Sequence, residues 1–384
     1  MSTLWLVIGI VTLVNCAIGL TLWLLHLRVS HWMFASEPSY ESVETLHMPD
    51  GGIIELRRIA TPIEPRDPTP VLMIHGLAMN HRNHDTHADY SFARHLHREG
   101  RDVWLVTLRS GRRSFRLFSG ANSDFASMVK HDFPGAVAAV LARTRQRQLD
   151  LAVFSMGGML AYAGLDRTVE ARLVRRVVVF ASPAKVRPLG VIGALHFLPP
   201  AYTPTPLLRS LLGSIAFAPR LVPSRVLGRL YNVENVDRKI ERGMLCDVWE
   251  NIPGRLGSDF MRWAKTGGEI TVDGMPVLNG LSRVNVPALF FAGGVDWLAP
   301  EDCVRAGYDA WGRDVPGLDK QFVLLSRANG VQCDYGHCDI AFGRNVVQEV
   351  FAPAARFLAG QVVAQRRAAP ARVEHTGFAA SPAE

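Results

Sequence analysis

At 384 residues with 48% hydrophobic side chains, the chain is long enough to fill the core of one large domain with insertions, which excludes a disordered or fibrous protein. The formal net charge of +7 comes from arginines scattered without the long basic runs that phosphate backbones attract. No nucleic acid is therefore expected as a partner, and the charge reads as a solvated surface with some affinity for anionic lipid.

The first element is the run from Leu4 to Leu25, apolar apart from Thr12, Asn15 and Thr21 and long enough to cross a bilayer as a helix. No basic region precedes it and no small-x-small cleavage site follows, so residues 1–30 are expected to stay as an anchor, not to be removed as a signal peptide. Arg28, with His26 and His31, lies on its downstream flank. The positive-inside rule then places the rest of the chain on the cytoplasmic side. Cys16, Cys246, Cys303, Cys333 and Cys338 form no CxxC pair, which fits a reducing compartment and suggests neither a zinc site nor a disulfide framework.

After a linker around Ser36 to Tyr40, Ser42–Met48 and Gly52–Ala60 read as an opening hairpin turned at Pro49-Asp50-Gly51-Gly52. Pro70–Ile74, Val103–Thr107, Leu149–Phe154, Val177–Ala181, Ala288–Ala292 and Gln321–Leu325 are short continuous apolar runs, the pattern of strands buried on both faces. Helical stretches separate them at Tyr90–Arg98, Ala136–Arg145, Met156–Leu165, Glu301–Trp311 and Val346–Leu358. Such alternation predicts an α/β protein whose mostly parallel central sheet carries helices on both faces. The alternation breaks over residues 185–284, which are rich in proline and in apolar residues such as Leu195, Phe197, Leu198, Leu207, Leu208, Leu211, Leu212 and Phe217. This stretch is expected to be a helical cap over the strand ends. The core is then divided into residues 40–184 and 285–364, with residues 365–384 as an aperiodic tail.

Ser155 stands where the apolar run Leu151-Ala152-Val153-Phe154 meets the start of a helix, followed by Met156-Gly157-Gly158. That is the context of a nucleophile elbow, although Val153 occupies the position of the first glycine in GxSxG. Gly293-Gly294-Val295-Asp296 follows a late strand, and Tyr335-Gly336-His337 follows the last one. The order Ser155, Asp296, His337, each at a strand end, predicts a nucleophile, an orienting acid and a general base; Asp302, Asp334 and Asp339 are rival acids. His75-Gly76-Leu77-Ala78 follows the strand ending at Ile74, so the Leu77 and Met156 N–H groups are the expected oxyanion donors, with His75 and Gly76 shaping the loop. His81, His84, Asp85, His87 and Asp89 crowd one short stretch, but their spacing matches no metal motif and reads as a polar rim. No GxGxxG is present, and neither metal nor organic cofactor is expected.

Several segments resemble the acid-lipase branch of the α/β-hydrolases, the family of gastric and lysosomal lipases. Gly100-Arg101-Asp102-Val103-Trp104-Leu105 is similar to the family's GYDVWL strand, and Ser127–Pro134 to its EMAKYDLP helix entry. Asp334–Ile340 resembles its histidine segment, and Gly293–Asp296 its acid turn. The likeness runs from about Tyr40 to Leu358. It implies an α/β-hydrolase fold, triad roles for Ser155, Asp296 and His337, and esters with apolar acyl chains as substrates. The chain departs from the family at Arg109-Ser110-Gly111, where the family has RGN, at Val153, and in its N-terminal hydrophobic run. The expected activity is a membrane-anchored serine esterase or lipase. An acyltransferase using the same serine, including polyester-processing types, and a non-catalytic binding scaffold are the alternatives.

Overall fold

A computed structural model describes residues 2–60, 67–113, 120–187 and 198–361. Leu195, Phe197 and the tail from residue 365 lie outside the described residues. The N-terminal run forms one helix, α1 (Ser2–Phe34). From Trp5 onward it is long and apolar enough to cross a membrane. It continues nine residues past Leu25 because no helix breaker intervenes.

The hairpin forms as expected from β1 (Ser42–His47) and β2 (Ile53–Arg58), with Gly51 at φ 81° in the turn. There follow β3 (Asp67–Ile74), α2 (Phe92–Arg98), β4 (Arg101–Thr107), α3 (Phe133–Thr144), β5 (Leu149–Phe154), α4 (Met156–Gly164) and β6 (Val174–Phe180). The insertion carries α5 (Leu208–Ser214), α6 (Arg238–Asp247) and α7 (Gly254–Lys265). It is not wholly helical, since Thr271–Val272 and Met275–Pro276 pair as a small hairpin. The core resumes with β7 (Ala288–Gly293), α8 (Glu301–Ala310), β8 (Lys320–Leu325) and α9 (Ala352–Leu358).

The eight strands form one sheet in the order β1-β2-β4-β3-β5-β6-β7-β8. Only β1 against β2 and β2 against β4 are antiparallel. Every residue of β4, β5 and β7 is buried, as helices on both faces of a parallel sheet require. Two helices differ from the expectation. Each of α3 and α9 is preceded by a widened turn, Met128–Asp132 and Val347–Phe351, in which Phe133 N–H reaches Met128 O and Ala352 N–H reaches Val347 O. Pro134 and Pro353 come next; lacking an N–H, each breaks the i→i−4 ladder, and the wider turn accommodates the break.

Candidate active site

β5 and α4 meet at Ser155, whose φ of 50° and ψ of −118° put it in a region that L-residues occupy only under strain. Its N–H is held by Phe180 O at 2.9 Å, so the sheet itself fixes the turn. The turn also needs close approach of α4 to β3. A Cβ on Gly157 would lie 2.5 Å from Ile74 O, and one on Gly76 would lie 3.0 Å from the Ser155 Cβ; glycine is required at both. Val153 does not open the turn. Its side chain points into the core, fully buried, while its backbone pairs with Ile74 and Val179.

The loops after β7 and β8 bring the other two residues to the serine. His337 Nε2 lies 2.9 Å from Ser155 Oγ, and His337 Nδ1 lies 2.8 Å from Asp296 Oδ2. A carboxylate only accepts, so Nδ1 carries the proton and Nε2 accepts from the serine hydroxyl. Asp296 Oδ1 accepts the N–H groups of Leu298 and Ala299, each at 2.8 Å, which fixes the carboxylate plane. His337 and Asp296 are buried, the imidazole packed edge-on against Phe154 at 5.1 Å, and Ser155 is half-buried.

None of the rival acids reaches His337. Asp302 pairs with Arg187 and Asp334 accepts Arg327 N–H. Asp339 is buried beneath the histidine loop and accepts from Gly336 N–H, Asn232 N–H and the Asn235 amide. Burial pushes its carboxyl up to about 6. Asp339 therefore holds the loop that carries His337, a role for which its sequence position gave no signal.

His75 braces the loop after β3. Its Nε2 accepts Leu108 N–H at 3.0 Å, so its Nδ1–H donates to Gly76 O at 2.8 Å. Complete burial lowers it to about 4, which keeps the ring neutral. Among the described residues no acceptor takes the Leu77 N–H, and Met156, at the first position of α4, has no carbonyl a turn behind it to take its own. The neighbouring histidines have structural partners. His81 bonds Thr107, His84 bonds Ile74 O, and Asp85 is held by Arg94 and Tyr40. No group of three potential metal ligands is assembled among the described residues.

No family model matches the chain. Solved structures do. A membrane phospholipase A covers 92% of the chain at 17% identity and TM-score 0.50. A thermophilic esterase from Thermogutta terrifontis covers 83% at 16% identity and TM-score 0.53, and 98% of that protein is matched. The thioesterase domain from the curacin biosynthetic pathway covers 83% at 16% identity and TM-score 0.52.

The chain has the α/β-hydrolase fold.

A curated Schizosaccharomyces pombe sequence, named a probable lipase, is 34% identical over 126 residues, which is 30% of this chain and 27% of that relative. The chain thus spans only about a quarter of the relative's length at that likeness. Within this α/β-hydrolase fold the insertion is bonded to both loops of the site. On one side Asn80 N–H donates to Val248 O and Glu250 N–H to Ala78 O; on the other Cys338 N–H donates to Leu230 O. Buried Arg82 joins the same region to Asp247 and Ser36. A further buried ion cluster was invisible to motif reading. Arg109, where the acid lipases have RGN, is held between Asp132 and Asp50, and Asp132 belongs to the segment resembling EMAKYDLP.

Proposed function

We infer that the protein is a membrane-anchored serine hydrolase that cleaves carboxylic esters with apolar acyl chains. The observation that carries this reading is the continuous Asp296–His337–Ser155 hydrogen-bonded line ending on a serine at φ 50°. In the reaction, His337 Nε2 takes the Ser155 proton as Oγ attacks the ester carbonyl. Asp296 stabilises the imidazolium, and the Leu77 and Met156 N–H groups hold the developing oxyanion. The alkoxide leaves with the proton from His337, and water then releases the acyl group by the same base. No cofactor enters these steps.

The insertion over residues 185–284 serves as the cap, and its bonds to both loops tie substrate entry to the geometry of the site. The membrane phospholipase A, the esterase and the lipase-named sequence support ester chemistry, and the acid-lipase likeness of the segments around β4, Asp296 and His337 supports an apolar acyl group. The second half of α1 supports retention as an anchor, since Trp23 donates to Ser214 Oγ and Cys246 bonds Ser30 O; a cleaved segment has no need of such partners. The basic flank at Arg28 favours the cytoplasmic side.

Fluorophosphonate labelling of the full-length protein tests the reading. The intact protein is expected to label and Ser155→Ala to remain unlabelled. An intact protein that takes no label, or a Ser155→Ala variant that labels equally well, refutes it.

A further inference from the structure

The anchor helix has two unlike halves. From Trp5 to Leu22 every residue is exposed, whereas Trp23, His26, Leu27, Ser30 and Phe34 form a part-buried stripe at helical spacing. That stripe lies on the cap. Trp23 and His26 both bond Ser214, at the end of α5, and His26 and Phe34 both meet the ring of Phe217. At 1.5 Å per residue a hydrocarbon core of about 30 Å takes about 20 residues. A bilayer entered at Trp5 therefore ends near Leu25, level with the α5 contact. The headgroup layer falls on Arg28 to Trp32, and Trp32 is 82% exposed, as an aromatic at the membrane interface would be.

This geometry leaves α5 and the segment after it at the membrane surface, and their exposed side chains suit that place. Leu207, just before α5, and Leu211 within it are exposed, and Leu221, 85% exposed, and Val226 follow. Charge agrees. Between Glu170 and Glu234 the chain has no acidic residue; Arg209 and Arg220 are taken up by Glu250 and Glu241, which leaves the exposed Arg225 and Arg229 as the basic groups beside these apolar side chains. Exposed apolar side chains with two exposed arginines beside them suit anionic headgroups above acyl chains.

We propose that the cap face bearing Leu207, Leu211, Leu221 and Val226 is a bilayer-binding surface, fixed against the membrane by the docked second half of α1. The proposal rests on the anchored-hydrolase reading and adds the partner of the cap, a lipid surface. Held there, the cap collects ester substrate from the bilayer and not from bulk water.

The test uses the full-length protein in nanodiscs of zwitterionic and anionic lipid. A bimane on Leu211→Cys, with Cys16 and Cys333 replaced by serine, is expected to be quenched by lipids brominated near the headgroup end of their acyl chains. The same label on Arg172→Cys, next to the start of β6, is not. Quenching at 211 no greater than at 172 overturns the proposal, whatever the enzyme does. A Leu207→Glu/Leu211→Glu/Leu221→Glu variant is expected to lose about tenfold or more in hydrolysis of a bilayer-borne ester, and to keep its rate on a short water-soluble ester. Equal loss on both, or on neither, counts against the surface. If the unaltered protein cleaves neither ester, the hydrolase reading fails while the quenching result still decides the surface.

Discussion

Replacing Val153 by glycine would restore the small residue that an elbow usually has at this position, and the structure says the change brings loss without gain. The valine side chain is fully buried on a strand paired on both sides. Removing its three carbons costs about 2–3 kcal/mol in lost transfer and cavity free energy. Glycine in a strand interior adds about 0.5–1 kcal/mol. The sum, about 3 kcal/mol, is a large share of the 5–15 kcal/mol that typically holds a domain folded. Against this stands no benefit in aim, because Ser155 already adopts its φ of 50° with valine in place. Urea unfolding of the variant is expected to show that loss. The rate at which a fluorophosphonate phosphonylates Ser155 in the still-folded fraction should stay within about twofold of the parent. A variant equally stable and about tenfold faster to phosphonylate would show that the valine holds the elbow open, and the reasoning would fail.

Two further outcomes follow from the site. Asp296→Asn leaves the fold intact but removes the carboxylate that fixes the Nδ1 proton on His337, so kcat should fall about 10⁴-fold with little change in KM; a fall of less than about tenfold would mean another acid orients the ring. Stability should also drop toward acid. Burial holds His75 and His84 at about 4, below the ordinary 6.5, and Asp339 at about 6, above 3.8. As pH falls from 6.5 to 4 the unfolded chain binds protons that the two folded imidazoles refuse, costing about 3 kcal/mol each, while relief of the buried Asp339 charge between pH 6 and 4 returns about 3 kcal/mol. His81, lowered by its own burial, adds to the loss, while Asp132, Asp247, Glu250 and Asp259, raised by theirs, offset part of it; urea unfolding at the two pH values reads the sign, and a protein more stable at pH 4 contradicts the assignment. The resemblance to acid lipases therefore carries no expectation of acid tolerance here.

Much of this was written into local sequence. Apolar runs of five or six residues with turn signals around them located β3 to β8 within three residues, because strands covered on both faces read as continuous apolar runs; β8, at the sheet edge, was found by the same pattern although it is only partly buried before Leu325. The chain order of Ser155, Asp296 and His337 was legible for a similar reason: the first two lie just past the end of such a run and His337 in the longer loop after the last one, and a parallel sheet brings its strand ends to one edge. The second half of α1 was not legible: the apolar run was read only to Leu25, and nothing local says that Trp23, His26 and Ser30 would meet the insertion.

What sequence alone determined is the element order, and with it a parallel sheet whose strand ends gather a serine, an acid and a histidine. Tertiary structure decided the rest, since it depends on partners far apart in the chain. Asp339 became a support for the histidine loop and not a rival acid through Asn232 and Asn235, more than a hundred residues away. Arg109 found Asp50 and Asp132, and Asp247 found Ser36 and Arg82. Val153 proved compatible with the elbow only once its side chain was seen to lie in the core. Local pattern records burial and periodicity; which buried polar group answers which is set by the packing of whole elements, and no window of sequence contains both partners.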